Sequence, residues 1–298
     1  MLLLAALVWG IAFVAQSEGL NYVETFTFNT CRFLLGGAVL IPCIFFMHGR
    51  KDSIWQTLSE KEKKEQTRMG IIGGICCGCV LCLASCLQQF GIAQTTVGKA
   101  GFITTLYIII VPFMGLFLKR KIGINIWISA VIAAVGMYFL CITESFSIGA
   151  GDRLVLMCSV VFSVHILVID HFSPKADGVV ISCVQFFTAG VIASVLMLLF
   201  EHPSMSAVIA AAAPILYAGV MSCGVGYTLQ VVAQNGVDPT VASLLLSLES
   251  VFSVLAGWVI LGQKLSGREL FGCALVFAAV LLVQIPTEKL FHTTKDKF

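Results

Sequence analysis

The chain has 298 residues, 58% of them hydrophobic and 11% charged, with a mean hydropathy of +0.98 and a formal net charge of +2. That balance excludes a soluble globular domain, and basic residues scattered as loop anchors exclude a nucleic-acid surface. A hydrocarbon core about 30 Å thick needs about 20 apolar residues per helix and leaves no backbone polar group unpaired, so the composition predicts an all-α integral membrane protein.

Residues 1–15 form the first predicted span. They carry neither the basic lead nor the small-residue cleavage site of a signal peptide, so the span is expected to be retained. It is short for a full crossing, as if a few residues preceded it. Residues 25–47 are the second span. A segment of mixed charge follows at 49–68, with Glu60, Glu62 and Glu65 among its lysines, and reads as a solvated cytoplasmic stretch or a short surface helix. Spans three to five are expected at 69–93, 98–118 and 122–142, with Lys119, Arg120 and Lys121 closing the fourth. Spans six to ten are expected at 153–169, 179–200, 207–234, 240–261 and 269–285, before a polar tail.

With the N-terminus inside, thirteen of the eighteen Lys and Arg residues fall on the cytoplasmic side. Lys99, Arg153, Lys264 and Arg268 lie outside or at outer helix ends, and Arg32 lies within span two. This bias predicts ten spans in the cytoplasmic (inner) membrane with both termini in the cytoplasm.

The twelve cysteines lie almost wholly within spans, five of them (Cys76, Cys77, Cys79, Cys82 and Cys86) in span three. They read as small apolar packing residues; a metal site would need partners from other segments and a polar surround. Nothing in the spacing points to disulfides.

The chain divides near residues 149–152. An offset of 153 lays Val8, Trp9 and Gly10 on Val161, Phe162 and Ser163, Arg32 and Phe33 on Gln185 and Phe186, and Gly37 on Gly190. An offset of 143 lays Leu118 on Leu261 and Lys121 on Lys264. Two repeats are expected, 1–148 and 149–298, the second with a short cytoplasmic tail. With five helices each, an odd number, the second must insert upside down, and a 5+5 inverted repeat places a site between the halves near the midplane. Gly70, Gly74 and Gly78 form a ridge of small residues that serves close packing or a hinge.

Ionisable residues at membrane depth are costly and so are functional candidates. Glu249 could bind a cationic group, carry a proton, or lock packing as a neutral carboxyl. Arg32 could hold a carboxylate through its fork or pair with Glu249 or backbone carbonyls. His165 is a packing residue or a second proton-coupling group. Lys99 can snorkel from the outer end of span four. Asn29, Gln88, Gln89, Thr104, Gln185, Gln230 and Ser247 supply donors and acceptors at depth, for cargo or for joining helices. Trp9, Phe13, Tyr107 and Tyr227 could line an aromatic cavity or simply pack.

Taken together, these residues resemble the EamA-type transporters of the drug/metabolite transporter superfamily. The likeness rests on the opening Ala5-Ala6-Leu7-Val8-Trp9-Gly10-Ile11-Ala12-Phe13-Val14-Ala15-Gln16, on Arg32-Phe33, and on Leu87-Gln88-Gln89-Phe90-Gly91. It continues through Thr95-Thr96-Val97-Gly98-Lys99 to Thr104, Tyr107 and Pro112. In the second half it runs through Pro239-Thr240-Val241-Ala242-Ser243, Leu248-Glu249-Ser250, Leu261-Gly262-Gln263-Lys264-Leu265 and Gly272. It implies ten helices, an inverted repeat, a central cavity and export or exchange of small metabolites. Ser250 stands where the family usually has Pro, which puts a helix kink in doubt, and Gln263 stands where Glu is frequent.

The function expected is secondary transport of a small metabolite, amino-acid-like compound or drug by alternating access, with proton coupling through Glu249 or His165. A channel-like facilitator is the main rival. An intramembrane enzyme is disfavoured, because no Gly-x-Ser-x-Gly or His-Glu-x-x-His occurs, and a flux-free sensor is disfavoured by termini without soluble domains. No phosphate-cradling loop ends in Lys-Ser/Thr, so no ATP or other cofactor is expected, and no metal. The expected partners are cargo and lipid, with a homodimer left open.

Overall fold

The computed structural model describes residues 1–50, 54–95, 97–120, 122–141, 148–261 and 266–283. Lys51, Thr96, Lys121, the 262–265 part of the last motif, the end of span ten and the polar tail lie outside the described residues. Among the described residues all regular structure is helical. Eight helices are long and apolar enough to cross a membrane, and Ile124–Phe139 is a shorter apolar helix.

Helices α1 (Leu2–Gly19) and α2 (Thr25–Gly49) match the first two spans, although α1 continues past residue 15. A single turn, α3 (Ile54–Thr57), precedes α4 (Glu60–Ile92). The third span was expected from residue 69, but its helix starts nine residues earlier. Ser59 and Glu62 form a reciprocal capping box there: Glu62 accepts from the Ser59 N–H at 2.8 Å and Glu62 N–H donates to Ser59 Oγ at 3.3 Å. Much of the charged segment is thus the aqueous extension of the third helix. At 1.5 Å per residue the 33-residue helix is about 50 Å long, well beyond the hydrocarbon thickness.

The fourth span is broken into α5 (Val97–Thr104) and α6 (Tyr107–Phe117). Thr105 Oγ1 lies 2.9 Å from the carbonyls of both Gly101 and Phe102 and competes with the helix ladder at the break. Next come α7 (Ile124–Cys141), α8 (Ala150–Phe172) and α9 (Gly178–Phe200). The eighth span is assembled from α10 (Met205–Ala210), α11 (Ala212–Leu216), a π-helical stretch at Tyr217–Tyr227 and α12 (Thr228–Gln234). The ninth divides into α13 (Pro239–Leu246) and α14 (Leu248–Leu261), and α15 (Gly267–Val283) closes the described chain. Ser250 does not leave this helix straight. The ladder gives way at Ser247, whose Oγ donates to the Leu244 carbonyl at 2.7 Å, while Ser250 Oγ donates to the Ser247 carbonyl at 2.8 Å.

The principal packing partners lie on opposite sides of residue 149: α2 with α9, α4 with α8 and α9, α1 with α14, and α7 with α15. Lipid-embedded helices hold together by close approach. The glycine ridge of α4 provides it: a Cβ on Gly74 would stand 2.4 Å from that of Val184, and one on Gly78 would stand 2.6 Å from the Gln185 carbonyl. The ridge is a packing surface against α9.

The α2–α9 pair is tied at both ends. Glu201, just beyond α9, is buried, and its carboxylate accepts from the backbone N–H groups of Phe26 and Thr27 and from Thr27 Oγ1, each at 2.7 Å. At the other end, His48 Nε2 lies 2.9 Å from Asp177 Oδ2, and Asp177 Oδ1 caps α9 through the Val179 N–H at 2.7 Å. The start of α2 thus meets the end of α9, and the end of α2 meets its start, so the two helices run antiparallel. Contacts inside the pair are reciprocal under the 153-residue offset. Gly37 faces Phe187, Gly190 faces Leu34, and Phe33 stacks on Phe186 with ring centroids 6.3 Å apart.

Replacing Glu201 by Ala strands three donors, two of them buried and one part-buried, each worth about 1.5–3 kcal/mol when bonded to a charged acceptor. We expect Glu201→Ala to lower the melting temperature of the detergent-purified protein by several degrees. Glu24→Ala, at an exposed position near the same helix start, is the control and should leave it unchanged.

Candidate functional site

Where the halves meet, side chains from α1, α2, α4, α5, α6, α8, the π-helical stretch, α12, α13 and α14 surround an internal cavity. Helix α1 contributes Trp9, Ala12, Phe13 and Gln16, spaced i, i+3, i+4 and i+7 along one face. Arg32 enters from α2, Gln88 from α4, and Phe162, His165 and Ile166 from one face of α8. The remaining wall comes from the irregular segments. Thr104 and Tyr107 flank the α5–α6 break, Leu246 and Glu249 flank the α13–α14 break, and Ser222 and Tyr227 lie in the π-helical stretch, followed by Gln230.

Interruptions of this kind free backbone carbonyls and re-aim side chains, which is why they recur at functional sites. Here the π-helical carbonyl of Ser222 accepts from Trp9 Nε1 at 3.3 Å, and the Trp9 and Tyr227 rings lie 4.5 Å apart at 54°.

Two polar centres face the cavity. Glu249, 5% exposed, accepts a hydrogen bond from the Tyr107 hydroxyl at 3.0 Å, which joins the two halves of the chain. Arg32, 2% exposed, donates from Nη1 to Gln16 Oε1 at 3.1 Å and lies over the Phe33 ring at 4.9 Å and the Phe28 ring at 5.7 Å. No carboxylate pairs with it among the described residues, Glu249 included. About 40 Å³ is open to water centres, which is room for a few waters. A metabolite enters this site only when its walls part.

The structure brings together Trp9, Phe13, Arg32, Gln88, Thr104, Tyr107, His165, Tyr227, Gln230 and Glu249. Four other sequence candidates are buried just outside the cavity wall. Asn29 Nδ2 donates to Cys86 Sγ at 3.6 Å, Gln89 Nε2 to the Gln16 carbonyl at 3.1 Å, and Ser247 bonds within its own turn. Gln185 Oε1 lies 3.2 Å from His165 Nε2 and orients that ring.

Gln16 closes the family-like opening motif but is not among the sequence's cavity candidates, because the first span is read to residue 15, although its i+7 spacing from Trp9 marks the face. Sequence reasoning missed Ser222, which carried no signal short of the π-helical turn itself. Lys99 is not merely a surface anchor: its Nζ lies 3.8 Å from Asp152, which also accepts from Thr95 Oγ1 and, at 2.9 Å, from the Gly149 N–H. Among the described residues no group of three or more His, Cys, Asp or Glu side chains is placed to hold a metal.

A solved crystal structure of a protein shares this fold, with a TM-score of 0.75, 97% of this chain and 96% of that chain covered, and 19% sequence identity. An "Uncharacterized transporter" of Archaeoglobus fulgidus is 29% identical over 285 residues, which are 95% of this chain and 84% of that protein. The model of the EamA-like transporter family matches residues 1–142 and 149–285. The chain therefore belongs to the EamA-like transporter family, a multi-pass membrane protein that carries out secondary transport of small molecules.

Proposed function

We propose that the chain works by alternating access between two oppositely inserted five-helix repeats, 1–148 and 149–298, with cargo held in the cavity between them. Ten spans make up this arrangement: the eight long apolar helices, together with α7 and α15. Helices α7 and α15 pack on each other and correspond under the 143-residue offset. Both termini lie in the cytoplasm, as the Lys and Arg distribution favours.

The observation that carries this reading is the α2–α9 pair. Helices equivalent under a repeat, packed antiparallel with reciprocal contacts, are what a two-fold axis in the membrane plane produces. A second support is the pairing of helix breaks. The offset that relates Leu118 to Leu261 relates Thr105 to Leu248, one residue from the break at Ser247, so each half interrupts its fourth helix at nearly the same place, beside the cavity. The narrow cavity is no continuous aqueous path, which favours a carrier over a channel.

Glu249 and Tyr107 sit on opposite halves, so their hydrogen bond reports on how the halves stand to each other. Glu249 is the proton-coupling group, and His165, held by Gln185, is the second candidate.

Reconstitution tests the reading. Proteoliposomes loaded with cargo from a metabolite panel should show saturable uptake and counterflow for at least one compound. Linear, non-saturating flux would identify a facilitator, and none at all would remove the reading. Glu249→Gln should abolish the pH dependence of net flux while sparing exchange. Tyr107→Phe and Glu249→Gln share one hydrogen bond, so their effects on melting should fall short of additivity by about 1 kcal/mol.

A further inference from the structure

The buried guanidinium of Arg32 uses only part of its donor set. Its Nη1 is taken by Gln16, whereas Nε and Nη2 are buried and have no hydrogen-bond partner among the described residues. These two atoms are not an arbitrary pair. Their N–H groups point the same way along one edge of the planar fork, which is the edge that takes both oxygens of a carboxylate side-on. Leaving such donors unpaired in a low-dielectric interior is expensive, and a buried cation without a counter-charge is more so. Arg32 is one of the residues that line the cavity, so a modest parting of the wall would bring this edge to a bound molecule.

The surroundings hold the edge in place. Gln16 fixes one end of the fork, and Gln16 is itself anchored because its backbone carbonyl accepts from Gln89 Nε2 at 3.1 Å. The Phe33 and Phe28 rings pack against the guanidinium, their centroids 4.9 and 5.7 Å from its carbon. Among the described residues that line the cavity, the only carboxylate, Glu249, is held by Tyr107 and forms no ion pair with Arg32. The protein thus provides a rigid, desolvated, bidentate donor pair and withholds its own acid from it. The same cavity wall carries five aromatic side chains, Trp9, Phe13, Tyr107, Phe162 and Tyr227.

Resting on the alternating-access reading, we propose that the cargo is a small organic anion. Its carboxylate docks on the Nε–Nη2 edge of Arg32, and its apolar or aromatic body lies against the ring-lined wall. Arg32 is the specificity-determining residue, and Gln16 is its positioning residue.

The test uses one matched trio of probes, 3-phenylpropionate, 3-phenylpropionamide and 3-phenylpropylamine, which share a body and differ only in the group offered to Arg32. Binding is read from the melting temperature of the purified full chain, titrated with each compound. The acid should stabilise the wild-type protein with an apparent affinity at least about tenfold tighter than the amide or the amine. Arg32→Lys, which keeps the charge and removes the fork, should weaken the acid at least about tenfold, and Arg32→Gln should abolish its effect. Equal responses to acid and amide in the wild-type protein, or none to any of the three, would overturn the proposal without any variant having to fold. Counterflow with the same trio separates the two levels of the account. Saturable exchange of the amine or amide with the acid inert would sink the anion assignment and leave the carrier standing, whereas absence of saturable flux across the whole metabolite panel would sink the carrier.

Discussion

Within a bilayer no solvent rescues an unpaired polar group, so a buried donor or acceptor is costly until the chain or a ligand supplies a partner. That constraint sorts the polar residues of this protein. At the ends of α2 and α9 it is met by protein groups: Glu201 satisfies the first N–H groups of α2, and Asp177 satisfies those of α9 while also meeting His48. At the centre it is met only in part. Tyr107 meets Glu249 and Gln185 meets one nitrogen of His165, but Nε and Nη2 of Arg32, Nδ1 of His165 and Nε2 of Gln185 have no partner among the described residues.

The same contrast runs through the backbone. The α2–α9 pair is continuous, glycine-faced and tied at both ends, and a pair so fastened resists sliding. The irregular backbone is concentrated elsewhere, at the α5–α6 break, the α13–α14 break and the π-helical stretch, and all three border the cavity. Their ladders are interrupted by side-chain hydroxyls (Thr105, Ser247) or by wider turns that contain Gly219, Gly224 and Gly226. Under alternating access these segments are the yielding parts, and the stapled pair is the frame against which they move. The two ties are not alike. One is a carboxylate on bare N–H groups and the other a His–Asp pair, although His48 and Glu201 correspond under the 153-residue offset.

The spans were legible because hydropathy reads the membrane directly: 25–47 and 179–200 fall within a few residues of α2 and α9. Where a helix leaves the membrane hydropathy is silent, which is why the start of α4 at Glu60 was missed and why Gln16 fell outside the first span. The breaks at Thr105 and Ser247 were illegible because they depend on where a hydroxyl points. Depth was legible for Arg32, Glu249 and His165, since a charge amid apolar neighbours announces itself. The direction of a side chain around its helix was not. Asn29, Gln89, Gln185 and Ser247 are as deep as the cavity residues yet lie just outside its wall, because no single helix encodes the angle at which its partners pack.

The central claim is that one hollow between the halves opens in turn to each face of the membrane. The direct measurement places a single cysteine at Ser222 in a chain whose own cysteines have been replaced and whose transport is retained. Labelling with a membrane-impermeant thiol reagent is then compared on right-side-out and inside-out sealed vesicles. The account predicts modification from both sides, slowed from both by saturating cargo. Modification from one side only, whatever cargo is present, would contradict it.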